Sequence, residues 1–428
     1  MTKIENLILK NGTILDLGTN ELHRQNILIK NGKIEKITDE SIEAAGVEVE
    51  DVTGQVIVPG LIDMHVHFRE PGFEHKETIA TGSQAAMAGG FTTVCTMPNT
   101  NPVQDSPEVI RQSYAKTAGQ LVNVLPIASI TKGRAGHELV DFKELVAAGA
   151  VGFSDDGGDV MNAQLMRQAL EMAAELNVPI IEHCEDANLA AGGVMHEGEI
   201  SRKLDLPGIP GAAEEVMVAR NIILAELTGG KMHIAHISTA RSVELVRRAK
   251  KDGLPVTCEV APHHFTLTDE ALLARNPNFK MNPPLRSQTD VNAILEGLAD
   301  GTIDVIASDH APHADAEKQQ GLFKAPCGIL GLETMLPLVI THLVDKNILS
   351  LTEAIKKMTI EPAKVLGLDY PEIRNGAEAD LTIFNPQKEW QIDKNQSFSK
   401  SRNTPFHGWN VRGKVWGVYR NGLLWRSK

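Results

Sequence analysis

Two histidines stand one residue apart in the stretch DMHVHFREPG, residues 63–72. Side chains on a β-strand alternate between two faces, so Asp63, His65, His67 and Arg69 would share one face. The opposite face of this strand is apolar. A half-exposed strand would fit the pattern. The residue types and their spacing also fit half of a metal site, because imidazole is a common metal ligand.

Further metal-capable side chains stand at the ends of other short apolar runs. The full candidate set is His65 and His67, Asp155 or Asp156, His183, His236 and Asp309. Ionisable groups that point into a protein interior need partners, and a divalent metal satisfies several of them at once. Four histidines and two carboxylates exceed the four ligands of a single zinc ion. We therefore expect two metal ions that share one carboxylate.

Short apolar runs alternate with helical patterns from residue 61 onward and would position these ligands. The runs are LIDMHVHF, FTTVCTMP, LVNVLPIA, AVGFSDD, VPIIEHC, KMHIAHIS, LPVTCEVA and IDVIASDH. Between them, segments such as 161–177 and 211–230 repeat apolar residues every three or four positions. Eight strands alternating with helices predict an α/β fold, a (β/α)8 barrel with its chemistry at the carboxyl ends of the strands. A doubly wound open sheet is the alternative, although no GxGxxG motif follows a strand.

The fourth run continues as AVGFSDDGG, residues 150–158, and offers two adjacent carboxylates. Alternation places Phe153 and Asp155 on one face and Ser154 and Asp156 on the other. Bulky apolar side chains suit the helix-facing side of a barrel strand, so the inner face carries Asp156. We predict that Asp156 bridges the metals, and a β-bulge would select Asp155 instead. The stretch contains no lysine that could become a carbamate ligand.

Both ends of the chain differ from its middle. Residues 1–60 consist of short alternating strands separated by Asn-Gly pairs, which are the strongest local signal for hairpins. Residues 371–428 have the same character. We therefore expect a barrel over residues 61–370 and a small β-sandwich domain built from both termini.

Composition excludes several classes of function. The formal net charge of −13 disfavours nucleic acid and anionic membranes as partners, since both select basic surfaces. No stretch approaches the roughly 20 apolar residues of a membrane helix, and the first residues lack a signal-peptide pattern. Four scattered cysteines without a CxxC pair are typical of reduced thiols. We therefore expect a cytoplasmic protein.

Two of the stretches resemble the signature stretches of a known enzyme family. DMHVHFREPG and ASDHAPHADAEK, residues 307–318, together resemble those of dihydroorotases in the amidohydrolase superfamily, most closely the bacterial stand-alone type. The HxH pair alone would indicate only the superfamily. Arg69, two places after it, and the Asp-x-Ala-Pro-His stretch are more specific. The resemblance extends over nearly the whole chain.

The resemblance implies the interconversion of L-dihydroorotate and N-carbamoyl-L-aspartate, a step of pyrimidine synthesis. It assigns one zinc ion to His65, His67 and Asp309, the second to His183 and His236, and the bridge to Asp156. A hydroxide between the metals would attack the ring amide carbonyl. Asp309 would be the catalytic residue, which takes the proton and delivers it to the departing nitrogen.

The resemblance also implies a set of substrate-binding residues. They are His67, Arg69, Asn99, Asn282, His313, Cys327 and Gly328. A guanidinium suits the substrate carboxylate because its rigid fork matches two oxygens. Residues 311–326 are polar and lack periodicity, so we expect a mobile loop that closes over the substrate.

Several alternatives stay open at the level of sequence. Hydantoinases and allantoinases share the barrel and the HxH pair, although they tend to lack an arginine at the position of Arg69. Some dihydroorotase-like chains only scaffold aspartate transcarbamoylase, but such chains have lost metal histidines. We expect a homodimer with a small-molecule substrate, and association with aspartate transcarbamoylase is a further option.

Three histidines fall outside the expected ligand set. We expect His233, three residues before His236, to face away from the site and to pack or bond in the outer layer. His263 and His264 follow the seventh run, and entry of either one into the site is an open alternative.

Overall fold

The computed structural model describes residues 2–117, 119–120, 122–370 and 372–427. The expected boundary at residue 371, the first residue of the predicted strand at 121–128, and the chain ends at residues 1 and 428 lie outside these ranges.

The described part of the chain mixes strands and helices, so the predicted α/β class is confirmed. The strands are β1 Thr2–Lys3, β2 Leu7–Leu15, β3 Leu22–Lys30, β4 Lys33–Thr38, β5 Glu48–Asp51, β6 Val56–Pro59, β7 Leu61–Val66, β8 Phe91–Thr96, β9 Asn123–Pro126, β10 Ile180–Glu182, β11 Met195–His196, β12 Gly208–Ile209, β13 Met232–Ile234, β14 Val256–Val260, β15 Val305–Ile306, β16 Leu381–Gln391, β17 Asn410–Arg420 and β18 Leu423–Arg426.

The α-helices are α1 Ile79–Gly89, α2 Pro107–Lys116, α3 Phe142–Ala147, α4 Ala163–Leu176, α5 Ala187–Ala190, α6 Glu199–Leu204, α7 Ala212–Thr228, α8 Ala240–Lys251, α9 Pro262–Thr266, α10 Gln288–Ala299, α11 Asp315–Lys318, α12 Gly321–Lys324, α13 Leu332–Val339, α14 Leu351–Lys356 and α15 Ile360–Leu366. Shorter 3-10 turns lie at Lys132–Arg134, Asp269–Ala274, Pro277–Phe279 and Lys394–Gln396, and a π-helical turn lies at Ile340–Val344. No helix of the described ranges is long and apolar enough to cross a membrane.

Strands from the two ends of the chain pair in a single nine-stranded sheet. Its order is β1-β18-β17-β16-β6-β2-β3-β4, and β5 pairs with β2. The register joins Leu381 to Pro59 and Thr382 to Val58, so an early and a late segment of the sequence are hydrogen-bonded neighbours. The sheet has its own apolar cluster, which includes Leu9, Ile27, Ile57 and Tyr419. Both termini therefore contribute to one core.

Asn-Gly pairs form two of the tight turns in this sheet. Asn31 and Gly32 have φ of 51° and 77°, and they connect β3 to β4. Asn421 and Gly422 connect β17 to β18 in the same left-handed region. Two successive positive φ values match the twist of a hairpin, and asparagine and glycine tolerate them. The pair at Asn11 instead forms a register shift inside continuous β2, so the expected break in that strand is wrong.

Parallel pairings in the middle of the chain connect eight segments in a closed cycle. β7, β8 and β9 form one parallel set, and β10, β13, β14 and β15 form another. Phe153 bridges the two sets through parallel bridges to Ala128 and Ile180, and a bridge from Val66 to His310 closes the cycle. The fourth predicted strand is thus a single bridging residue rather than a strand, because a turn begins within a few residues of Phe153.

Helices cover the outside of this cycle. The patterns at 161–177 and 211–230 are confirmed as α4 and α7. Helix α4 begins after Asn162, whose side chain accepts hydrogen bonds from the main-chain N–H groups of Gln164 and Leu165. Alternate strand residues such as Ile180 and Ile234 pack outward on these helices. Their inward neighbours Ile181 and Ala235 belong to a separate apolar cluster.

Candidate active site

The predicted metal ligands come from the ends of the central strands. His65 belongs to β7 and His67 follows it directly. His236 and Asp309 come two and three residues after β13 and β15, and their φ values are 30° and 46°. A positive φ ends strand geometry, so the side chains at these two positions do not follow the alternation of the preceding strand.

The carboxylate of Asp156 lies among three imidazoles. Asp156 Oδ1 is 3.4 Å from His65 Nε2 and 3.5 Å from His236 Nε2. Asp156 Oδ2 is 3.5 Å from His67 Nε2. All four side chains are buried, with at most 5 % of their surface exposed. A single carboxylate therefore contacts histidines from two sides of the cluster.

Asp309 and His183 are the two remaining predicted ligands, and they lie at the two sides of this cluster. Asp309 Oδ1 is 3.2 Å from His67 Nε2 and 3.7 Å from His65 Nε2. His183 Nδ1 is 3.0 Å from His236 Nε2. The structure thus brings all six predicted ligands together within one buried cluster.

The other carboxylate of the adjacent pair has a different environment. Asp155 Oδ1 accepts hydrogen bonds from the main-chain N–H groups of Ile130 and Thr131, and Oδ2 accepts one from the Thr131 hydroxyl. Phe153, which the alternation places with Asp155, stacks on Phe142 of α3 with ring centroids 3.9 Å apart. Asp155 therefore anchors the loop after β9 and faces away from the histidines.

Two acceptors fix the tautomers of the first histidine pair. His65 Nδ1 is 2.7 Å from Glu259 Oε1, and His67 Nδ1 is 2.9 Å from Asn99 Oδ1. An Nδ1–H that donates to an oxygen leaves Nε2 with its lone pair free, which is the arrangement of a metal-ligating histidine. Glu259 was not among the predicted site residues, although a single acid inside the apolar run LPVTCEVA was an available signal.

This cluster fits a metal centre. Ligand atoms of His65, Asp156 and His236 lie within 4.8 Å of one another, as do those of His65, His67 and Asp309. His65 Nε2 and His236 Nδ1 are buried without a hydrogen-bond partner. A buried polar nitrogen without a partner is costly, and a cation between these groups would satisfy it.

Charge in the cluster keeps its carboxylates ionised. Burial alone would raise the pKa of Asp156, but the imidazoles of His65 and His236 around it hold that pKa well below its ordinary value. Burial likewise opposes ionisation of Asp309, and the imidazole of His67 beside it outweighs burial, so the pKa of Asp309 is also lowered. Anionic oxygens are the form that binds a divalent cation.

Arg69 lies beside the cluster, in a loop and not on β7. Its φ is 61°, its Nε donates to Pro312 O over 3.2 Å, and a terminal nitrogen lies 3.4 Å from His313 Nε2. His313 Nε2 in turn donates to Cys327 O over 2.7 Å. Burial, together with the charge of Arg69, lowers the pKa of His313 to about 2, so the imidazole is neutral. The arginine is the cation of this group.

The two predicted asparagines contact histidines of the predicted ligand set directly. Asn99 also reaches Asp156, with Nδ2 to Oδ2 at 3.5 Å. Asn282 Nδ2 is 3.3 Å from His183 Nε2 and 3.2 Å from Glu185 Oε1. Both amides therefore border the cluster, on its two sides.

The predicted mobile loop has a defined arrangement in the structure. Residues 311–326 include the short helices α11 and α12. Lys318 is 4 % exposed, and its ammonium donates to the main-chain oxygens of Lys280, Pro326 and Gly328. The Gly328 N–H donates to Lys280 O over 3.0 Å. The segment is therefore partly helical in this structure, and its closure over the substrate stays a prediction.

His233 differs from its expected place. Its Nε2 is 3.3 Å from Glu259 Oε2, and its Nδ1 is 2.8 Å from Thr257 Oγ1. Glu259 also contacts His65, so His233 lies inside the ring beneath the cluster and not in the outer layer. The prediction failed because the positive φ of His236 breaks the alternation on which it depended.

His263 and His264 remain outside the ligand groups of the described residues. His264 Nε2 is 3.0 Å from Pro283 O, and burial lowers the pKa of His263 to about 4. Both rings are therefore neutral and fully enclosed.

Arg134, for which the sequence offered no signal, donates to the main-chain oxygens of Asp155 and Asp156.

Comparison with known proteins extends these observations along the chain. Residues 54–242 match the family model described as Dihydro-orotase-like. A dihydroorotase of Pelotomaculum thermopropionicum is 53 % identical over 420 residues, which is 98 % of each chain. Dihydroorotases of Syntrophus aciditrophicus and Listeria monocytogenes are each 49 % identical and span at least 96 % of both chains.

Solved structures share the fold at lower sequence identity. An L-hydantoinase (dihydropyrimidinase) of Arthrobacter aurescens superposes with a TM-score of 0.86 at 25 % identity and covers 99 % of this chain and 97 % of its own. A dihydropyrimidinase of Brevibacillus agri gives 0.85 at 22 % identity, with 98 % and 94 % covered. About half of the residues are identical to those of the dihydroorotases over nearly the full length. About a quarter are identical to those of the L-hydantoinase. The chain belongs to the dihydroorotase family of cyclic amidohydrolases.

Proposed function

We propose that this enzyme interconverts L-dihydroorotate and N-carbamoyl-L-aspartate, the ring-closing and ring-opening step of pyrimidine synthesis. The observation that carries the assignment is Arg69, a guanidinium beside a buried cluster of six side chains that could hold metal. The substrate presents a carboxylate next to the reacting amide, and an arginine suits such a group. The names of the full-length relatives point to the same reaction.

We infer two zinc ions per chain. His65, His67 and Asp309 would hold one, His183 and His236 the other, and Asp156 would lie between them. The donor set supports this count because six ligands exceed one tetrahedral zinc site. When bound, zinc lowers the pKa of a coordinated water to about 7 and polarises a carbonyl oxygen.

Asp309 is the catalytic residue of this proposal. Its Oδ1 lies 3.2 Å from His67 Nε2, at the same end of the cluster as Arg69. The carboxylate takes a proton from the attacking water and returns it to the amide nitrogen as the ring opens, and ring closure reverses these steps. An ionised side chain is required for the first transfer, in accord with the lowered pKa of Asp309.

Binding of the substrate would engage the residues around Arg69. Arg69, Asn99 and His313 would contact the substrate carboxylate, and Asn282 with the main chain of Cys327 and Gly328 would contact the ring amide. His67 borders both groups. Among the described residues, the guanidinium donates to Pro312 O and has a terminal nitrogen 3.4 Å from His313 Nε2, and its other N–H groups would be available to a ligand.

The architecture we propose is a (β/α)8 barrel over residues 61–370 with a β-sandwich made of residues 1–60 and 371–428. The closed cycle of parallel pairings and the shared terminal sheet both support it. In such a barrel the active site lies at the carboxyl ends of the strands, where the six ligands are found.

Partners and location follow from the same assignment. We propose a homodimer that acts on a small molecule, with no nucleic acid or membrane as partner, and association with aspartate transcarbamoylase as an option. Cytoplasmic location accords with the four free cysteines, Cys95, Cys184, Cys258 and Cys327.

A substrate panel tests the proposed reaction. The zinc-loaded enzyme should hydrolyse dihydroorotate with a kcat/KM at least on the order of a hundredfold above that for hydantoin or allantoin, because only dihydroorotate places a carboxylate at Arg69. Asp309→Asn should abolish turnover, since an amide does not accept the proton. A preference for hydantoin would assign the chain the activity named for its structural neighbours, and turnover by Asp309→Asn would refute the proton shuttle.

A further inference from the structure

A segment outside the central ring holds the loop that carries His313 and Gly328. Residues 397–404, here called the strap, lie between the 3-10 turn at Lys394–Gln396 and strand β17. Near its start, the Ser397 hydroxyl donates to Glu333 Oε1. Further along, the Ser399 hydroxyl donates to Glu77, and the Ser401 hydroxyl donates to Lys76 O. The strap thus connects α13 to the segment between β7 and α1.

Asn403, near the end of the strap, makes its contacts with the last loop of the ring. Its Oδ1 accepts from the His313 N–H over 3.0 Å. Its Nδ2 donates to Ala311 O over 3.0 Å and to Gly328 O over 3.1 Å. The Leu330 N–H donates to the Asn403 main-chain oxygen over 3.0 Å. One residue therefore holds both ends of the 311–328 loop.

The chemistry of this position requires a primary amide. Asn403 is 1 % exposed, and a buried polar side chain must satisfy each of its groups. The surrounding main chain presents one N–H group and two carbonyl oxygens. The side-chain amide of asparagine supplies the matching acceptor and the two donor hydrogens. Gly328 O also accepts from Lys318 Nζ, so the loop is held from two sides. The spacing of 75 to 92 residues between the partners makes this a tertiary constraint and not a local turn.

We propose that Asn403 is a positioning residue for substrate recognition, acting through His313 and the turn at Gly328. The inference rests on the proposed function for the role of His313 in binding the substrate carboxylate. Among the described residues, the His313 ring donates to Cys327 O and lies 3.4 Å from a terminal nitrogen of Arg69. The Asn403 bond holds the His313 main-chain N–H, so its loss would change the spacing between His313 and Arg69.

Asn403→Ala tests the proposal, with Ser401→Ala as the matched control. Ser401 lies in the same strap, is 4 % exposed, and donates to Lys76 O without contacting residues 311–328. We expect Asn403→Ala to raise KM for dihydroorotate on the order of tenfold to a hundredfold, with zinc content unchanged, because small displacements of binding groups have effects of this size. Ser401→Ala should leave KM within about twofold of wild type. A purely structural role would lower the folded fraction, and hence the apparent kcat, without changing KM.

Hydrogen exchange separates this inference from the proposed function. The His313 N–H should exchange faster in Asn403→Ala than in Ser401→Ala, whichever substrate the enzyme prefers. Asn403→Ser, which keeps one short donor, should give an intermediate KM and serves if the alanine variant does not fold. Equal KM in the Asn403 and Ser401 variants, or unchanged exchange at His313, would overturn the positioning role.

Discussion

Asp155 and Asp156 are adjacent in the chain, but their carboxylates have different contacts. Asp155 accepts three hydrogen bonds from the loop after β9, whereas Asp156 contacts three imidazoles. Both side chains are buried, so exposure does not separate their roles. The separation comes from Phe153, whose ring packs on Phe142 and thereby fixes which face of the chain points to the histidines.

A substitution of Arg69 tests substrate binding separately from the hydrolysis step. Arg69→Met should raise KM for dihydroorotate about a hundredfold or more, because truncating one partner of a buried charge pair costs about 2–5 kcal/mol. Zinc content should stay at the wild-type value, since Arg69 contacts Pro312 O and His313 and none of the six ligands. Steady-state kinetics with metal analysis of the same sample measures both quantities. An unchanged KM would remove Arg69 from the substrate site.

At the scale of elements, alternation along strands predicted a large part of the site. It selected Asp156 over Asp155 and brought His65 and His67 to the same cluster. Alternation gave the wrong place for His233. The sequence pattern also predicted a full fourth strand where the structure has a single bridging residue, Phe153. Periodicity describes a strand only while φ stays in the β region, and His236 leaves that region. No pattern in the sequence predicts the positive φ of His236.

The sequence also gave no account of the carboxylate beneath the ligands. Glu259 on β14 contacts His65 Nδ1 at 2.7 Å and His233 Nε2 at 3.3 Å. Its partners lie 26 and 194 residues away along the chain, so only the folded ring brings the three together. The single acid inside the apolar run LPVTCEVA indicates a buried carboxylate, but no local pattern identifies His65 and His233 as its partners.

Glu259→Gln should weaken zinc binding on the order of tenfold to a hundredfold, because the carboxylate orients His65 and raises its basicity. Competition with a chelator measures this change without reference to activity. Glu182→Gln is the matched control, since Glu182 is equally buried on β10 of the same sheet, and its carboxylate lies 3.8 Å from Arg220 and not against a predicted ligand. Equal affinities in the two variants would show that Glu259 does not support the metal centre.

At the scale of the whole molecule, the carboxyl-terminal part of the chain reaches the loop beside the candidate site, and it shares a sheet with the amino-terminal strands. The amino-terminal strands and the carboxyl-terminal strands share one sheet, and the strap before β17 holds the loop that carries His313. Asn-Gly signals predicted the hairpin turns between β3 and β4 and between β17 and β18, because such turns are local. The strap has no periodicity, and its contacts reach across the molecule, so no local signal could have placed it near the site.

The central claim is a two-metal site bridged by an unmodified carboxylate. Metal-free protein should be reconstituted with zinc in buffer depleted of carbon dioxide, and bound zinc should be counted while dihydroorotate hydrolysis is followed. Asp156→Ala should lose at least one zinc ion, and Asp155→Ala should keep both, because only Asp156 contacts the histidines.

The zinc count with turnover in that buffer is the most direct test. We predict about two zinc ions per chain and full hydrolytic activity without added bicarbonate. Activity that returned only with bicarbonate would identify a carbamate bridge on a lysine. Full activity with a single tightly bound ion would contradict the bridged two-metal site.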